Sequence, residues 1–234
     1  MDFASITAHI EFMVYKLSTE TRAQVLRTLC EGNGMRATGR ICDVAQNSVL
    51  SLLEEGGQAC LWMHDDLVRN VKSTRIQCDE IWSFTYCKGR NAAKAKAAPE
   101  CAGDTWLWTA LDADSKMILS YYVADRKAKS ARIFLQDMES RLANRVQLST
   151  DGLASYPTAV FRVFEGKGID YAIVDKIYAN TAPVNAATRY SPAQCVGAKR
   201  RAVIGNPDPA HVSTSYVERS NLTLRMTNRR YTRL

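Results

Sequence analysis

A change of hydrophobic period near Lys72 most constrains what this chain can fold into. Before it, apolar residues recur at three- and four-residue steps. After it, runs rich in β-branched and aromatic residues alternate with helical stretches. Arg75 to Tyr86 is dense in Ile, Trp, Phe and Tyr and reads as a strand. A polar, alanine-rich loop follows from Cys87 to Gly103. Trp106 to Asp112 reads as a second strand, Asp112 to Lys116 as a turn, and Met117 to Val123 as the return strand. Next comes a helix capped by Ser130, with Ile133, Phe134, Met138 and Leu142 at helical spacing. Val146 to Thr150 is a strand, and Ser155 to Phe164 is a helix with Pro157 in its first turn. Ile169 to Val174 is a further strand, and a last helix starts near Ser215. Residues 179–210 carry four prolines and little periodicity, and read as an irregular insertion.

Three antiparallel strands, then helix, strand, helix, strand and a final helix is an α/β order. It fits a ribonuclease-H-like mixed sheet with flanking helices over residues 72–234. Residues 1–71 read as a separate, small all-α region. Two short apolar clusters lie within residues 1–18. Thr19 caps a helix with Val25, Leu26, Leu29 and Cys30 on one face, ended by Gly32-Asn-Gly34. Met35 to Cys42 is a second helix, and Asp43-Val-Ala-Gln46 is a turn. A third helix begins at Asn47 and stops at Gly56-Gly57, and another runs from about Gln58 to Val71. Two helices about a tight turn, preceded by a stabilising helix, form a helix-turn-helix pattern. It would present Gln46, Asn47 and Ser48 to DNA base edges; a helical bundle with no DNA role shows the same spacing. Gly39 inside the second helix costs about 1 kcal/mol against alanine. Asp43 stands at the turn, where a positive φ favours glycine.

The formal net charge of +7 suits a polyanionic partner, and the positive charge is concentrated. Arg219 to Leu234 holds five arginines and no acid, with Arg229 and Arg230 adjacent. Lys88 to Lys96 is a second basic run. Either run alone reads as a solvated face; the two together favour phosphate contact. The seven cysteines include no Cys-x-x-Cys pair, which excludes a zinc ribbon, and their odd count suits a reducing cytosol. No apolar stretch approaches the ~20 residues of a membrane span.

Three carboxylates stand out. Asp79 lies in the first strand, Asp151 ends the fourth in Thr-Asp-Gly, and Glu218 lies early in the last helix. In the expected sheet the first and fourth strands are neighbours, so Asp79 and Asp151 can share a cation. Hard oxygen donors with open positions suit magnesium or manganese. Glu218, Asn221, Leu222 and Arg225 share one face of the last helix. Each acid also has a plain structural reading. Glu80 neighbours Asp79 on the opposite strand face, and there it must reach a partner or the sheet edge, which leaves a coordinating role open to it. Asp151-Gly152 fits a strand-end turn. Ser215-x-x-Glu218 fits a capping box.

Asp79-Glu-Ile-Trp-Ser-Phe, Thr150-Asp-Gly-x-x-x-Tyr156 and Thr214-Ser-Tyr-Val-Glu-Arg-Ser-Asn-Leu-Thr-Leu-Arg225 resemble the transposases of bacterial insertion sequences of the insertion-sequence-one type. The resemblance runs from about Thr19 to the end and implies a DDE transposase. Such an enzyme binds terminal inverted repeats, cleaves DNA and joins its 3′ ends to target DNA with two divalent ions, Mg2+ or Mn2+. By position, Asp79, Asp151 and Glu218 take the catalytic and metal-ligating roles, with Arg225, Asn221 and Tyr156 in support. Gln46, Asn47, Ser48, Arg229 and Arg230 are the expected DNA contacts. The resemblance also implies a homodimer or larger oligomer on DNA, in the bacterial cytoplasm at the nucleoid. The chain departs from the family at Gly39 and Asp43, in lacking a zinc ribbon, and in stopping at Leu234 where relatives continue. This last departure raises the alternative of a truncated, non-catalytic DNA-binding repressor.

Overall fold

The computed structural model describes residues 17–179 and 194–231. The apolar clusters expected within residues 1–18 lie almost wholly outside the described residues, as does the core of the expected insertion, 180–193. The chain divides into two compact units: Met1–Leu61 with Thr227–Arg229, and Trp62–Met226 with Arg230–Leu234.

In the first unit, α1 (Thr19–Cys30), α2 (Met35–Cys42) and the first part of α3 (Gln46–Leu67) enclose Val25, Val49 and Leu52. Ser18, not Thr19, caps α1, its side chain accepting from the Thr21 amide. Asp43 ends α2 in the left-handed region at φ 52°, the conformation expected of this turn. Gly39 has a reason to be glycine: a Cβ there would lie 2.9 Å from the Val44 carbonyl oxygen. The expected break at Gly56-Gly57 does not occur, and α3 continues to Leu67. The Leu26 side chain packs against Gly56, within 3.1 Å of where a Cβ would stand, so the glycine serves close packing rather than helix termination.

The second unit is built on a six-stranded mixed sheet in the order β3-β2-β1-β4-β5-β6. Its elements in chain order are β1 (Arg75–Thr85), the short α4 (Gly89–Ala92), β2 (Gly103–Asp112), β3 (Ile118–Ala124), α5 (Ala128–Ser140), β4 (Gln147–Asp151), α6 (Ser155–Val163), β5 (Asp170–Tyr178), β6 (Cys195–Ile204) and α7 (Ser215–Thr227). β1 pairs antiparallel with β2 and parallel with β4, β4 pairs parallel with β5, and β6 returns antiparallel. This is the ribonuclease-H-like order expected from the sequence. β6 corrects the expectation of an irregular insertion over 179–210. As an edge strand exposed along most of its length, it needs no apolar alternation to pair with β5.

Strand alternation divides the sheet's two faces. Ile76, Cys78, Trp108, Leu148, Tyr171 and Ile173 pack with Phe134, Met138, Tyr156 and Val160 of α5 and α6 in the main core. On the opposite face, buried Gln77 turns toward α7, its side-chain oxygen accepting from the amides of Tyr216 (2.8 Å) and Val217 (3.1 Å). Those amides belong to the first turn of α7, so Gln77 satisfies donors that have no intrahelical partner. The cap expected at Ser130 is also corrected. Asp125 holds the start of α5, accepting from the Lys127 amide at 3.2 Å and from the Ser130 hydroxyl. Among the described residues no helix is long and apolar enough to cross a membrane.

Candidate active site

The β1–β4 ladder runs from Arg75 opposite Gln147 to Cys78 opposite Thr150. The next residues on the two strands are Asp79 and Asp151, which stand side by side where the parallel ladder ends. The carboxyl ends of parallel strands are where ligands bind in open α/β sheets. Glu80, one step along β1, approaches from the other face. Asp79, Glu80 and Asp151 each offer a carboxylate oxygen within 4.8 Å of the others. An open cleft of about 560 Å³ lies beside them, lined by Asp79, Arg126, Asp151, Asp175, Lys176 and Tyr178 among others.

Each acid has distinct partners. Asp79 accepts from Asn221 Nδ2 of α7 at 2.8 Å. Burial raises its pKa to about 6, against the Glu80 backbone hydrogen bond, with the neighbouring Asp151 charge adding to the rise. Glu80 is buried, as its register requires, and it finds partners: the Tyr156 hydroxyl donates to Oε1, and the Arg126 guanidinium donates to Oε2 at 3.0 and 3.1 Å. Burial nonetheless pushes its pKa to about 7. Asp151 accepts from the Leu153 amide at 3.0 Å and lies 3.7 Å from Arg126. Arg126 stacks over the Trp106 ring, 4.5 Å from its centroid. One guanidinium thus faces two of the three carboxylates, and the pKa values of Asp79 and Glu80 are raised chiefly by burial, with the Asp151 charge adding to both.

Glu218 is placed differently. It is absent from the three-carboxylate group; its Oε1 lies 2.7 Å from Lys176 Nζ and also accepts from the Thr214 hydroxyl. Burial works against the Lys176 ammonium, but the bond to Glu218 leaves its pKa raised. Asn221 and Tyr156 each contact an acid of the group directly, and Arg225 is half-buried on α7. In the other unit, Gln46 and Asn47 are exposed and Ser48 half-buried in the first turn of α3. Arg229 and Arg230 are exposed in the 3-10 turn Arg229–Tyr231.

The chain matches no protein-family model and no curated protein. Solved structures similar to it include the following two. One is a cryo-EM structure of piggyBac transposase in a synaptic complex with hairpin DNA, at 9% identity and TM-score 0.40, covering 96% of this chain and 62% of that one. The other is Aquifex aeolicus Argonaute, at 14% identity and TM-score 0.32, covering 69% of this chain and 26% of that one. The chain spans less than two thirds of either structure's length. These likenesses are loose, and the fold assignment rests on the sheet order.

The residues fit a divalent cation. All donors are hard carboxylate oxygens, their charge is under-compensated, and the buried Asn221 Oδ1 beside them has no hydrogen-bond donor among the described residues. Two cleft cations escaped the sequence reading. Arg126 follows β3 in Asp125-Arg-Lys, and Lys176 lies near the end of β5. Neither lies in a motif that marks it, and only the fold brings it to the acids.

Proposed function

We propose that this chain is a metal-dependent, DNA-processing enzyme of the transposase type, cleaving strands and joining 3′ ends to target DNA. The observation that carries the reading is the pair Asp79 and Asp151 at the end of the β1–β4 ladder, with Glu80 beside them and a cleft open to solvent. The resemblance of the Asp79, Asp151 and Glu218 motifs to insertion-sequence transposases supplies the reaction class. Magnesium or manganese held by Asp79 and Asp151 would provide Lewis-acid activation of a water or 3′-hydroxyl and neutralise charge on the phosphate.

The remaining work falls to the chain itself. Asn221 orients Asp79 through its amide. Tyr156 and Arg126 hold Glu80, and Arg126 also reaches toward Asp151, so both carboxylates are restrained before substrate arrives. Lys176 lines the cleft, so a phosphate entering it competes with Glu218 for the ammonium. Glu218, released from that pair, is the third acid of the proposed set, as the family motif implies. The α1–α3 region, with Gln46 and Asn47 exposed, is the proposed reader of element ends.

The test is nicking of supercoiled plasmid, and joining of a labelled 3′-hydroxyl oligonucleotide to plasmid, by the purified chain with magnesium or manganese. Nicking lost on chelation and in Asp151→Asn supports the proposal; full activity in Asp151→Asn overturns the site. A second reading, a DNA-binding protein without catalysis, is favoured by the Lys176–Glu218 ion pair, which already occupies the third acid. DNA binding without nicking in either metal would establish it.

A further inference from the structure

We propose that the exposed edge of β6 is a phosphate-binding rail that leads duplex DNA to the acidic cleft. This inference deepens the proposed function and rests on it for the identity of the polyanion. Lys199, Arg200 and Arg201 are consecutive and exposed on β6, the edge strand next to β5. From Gln194 to Asn206 the chain has no acidic residue. The register ties this run to the cleft: Arg200 pairs with Val174, Lys199 with Asp175, and Ala198 with Lys176. Val174, Asp175 and Lys176 all line the cleft. The basic run is therefore one strand away from the cleft wall.

Alternation places Arg200 on the sheet face of Asp79, Asp151 and Lys176, and Lys199 and Arg201 on the other. Cations thus project from both faces of one free edge. That arrangement suits a continuous polyanion passing the edge better than a small anion held in a pocket. Charge on an edge strand also discourages edge-to-edge aggregation, but a single charge of either sign serves that end. Three cations in succession at the cleft rim make a patch of one sign, the electrostatic footprint of nucleic acid. Arg201 is in part engaged, with its Nε 3.8 Å from Asp175 Oδ2, so Lys199 and Arg200 are the principal phosphate contacts.

The experiment measures binding of the full chain to a fluorescein-labelled duplex of about 20 base pairs and arbitrary sequence, over a series of salt concentrations. The double variant Lys199→Ala/Arg200→Ala is expected to bind at least about 10-fold more weakly near 0.1 M salt. Its plot of log affinity against log salt is expected to flatten by about 2, the loss of two phosphate contacts. The charge-keeping variant Lys199→Arg/Arg200→Lys, with the same melting temperature, should restore both. Affinity and slope equal to wild type in the alanine variant would overturn the rail, whether or not that variant nicks DNA. A wild-type chain that binds the duplex through these residues but never nicks it would overturn the proposed catalysis and leave the rail standing.

Discussion

The acids around the cleft are handled in two ways. Asp79, Glu80 and Asp151 crowd together at the end of the β1–β4 ladder, with Arg126 facing two of them. Glu218 on α7 has an ammonium to itself, at 2.7 Å, and a threonine hydroxyl besides. The first arrangement is short of positive charge, and burial keeps Asp79 and Glu80 protonated to higher pH; in the second a carboxylate and an ammonium are paired. A cation added to the cleft therefore gains most from the crowded group, whereas Glu218 must first be separated from Lys176. Under the proposed function the contrast would set an order, in which the strand acids recruit a cation and Glu218 joins once phosphate has drawn Lys176 away.

The strongest way to break that contrast is Asp151→Asn, which removes charge from the crowded group. Nicking is expected to fall about 100- to 1000-fold, equivalent to several kcal/mol of lost stabilisation, while duplex affinity is kept. A second effect is read by melting the metal-free chain across pH. Asp79 and Glu80 have folded pKa values of about 6 and about 7, above their ordinary range. Folding therefore takes up protons at these two groups. Their contribution to stability is full below about pH 4 and is lost as pH rises through about 6 and 7. Discounted for their mutual coupling, the loss is on the order of 3 kcal/mol, or several degrees in a chain of this size. Millimolar magnesium should recover most of it at pH 8, and a melting temperature that is flat from pH 5 to 8 would show the crowding to be harmless. Glu218→Gln should lower nicking about 10- to 100-fold. Unchanged nicking there would restrict the working site to the three strand-borne acids. The smallest expected change lies in the other unit. Gly39→Ala should destabilise by about 1 to 2 kcal/mol despite alanine's better helix propensity, because its Cβ meets the Val44 carbonyl oxygen. A rise in melting temperature would show that this close approach relaxes freely.

Much of the sheet is legible in the sequence because its buried strands obey simple periods. Ile76, Cys78 and Leu148 alternate with polar neighbours, and the opposite faces of Asp79 and Glu80 follow from the same count. β6 is not legible, because an edge strand exposed along most of its length shows little apolar alternation and its Lys-Arg-Arg run imitates a loop. The continuity of α3 is hidden by Gly56-Gly57, a pair that ordinarily ends helices but here admits Leu26. The pair Asp79 and Asp151 is readable once strand order is known. Arg126 and Lys176 are not, since nothing local to either residue marks it. The partner of Glu218 belongs to the same class: a lysine on β5 meets a helix that starts some forty residues later, and only the folded chain brings them together.

The glutamine that caps α7 has a mechanical corollary. Gln77 stands two residues before Asp79 on β1, and the amides it holds belong to Tyr216 and Val217, the two residues before Glu218. One side chain therefore sets the datum from which both acids are measured. A strand that slipped by a residue would turn Gln77 away and release the helix, so the two halves of the proposed site are gauged against each other and misassemble together or not at all.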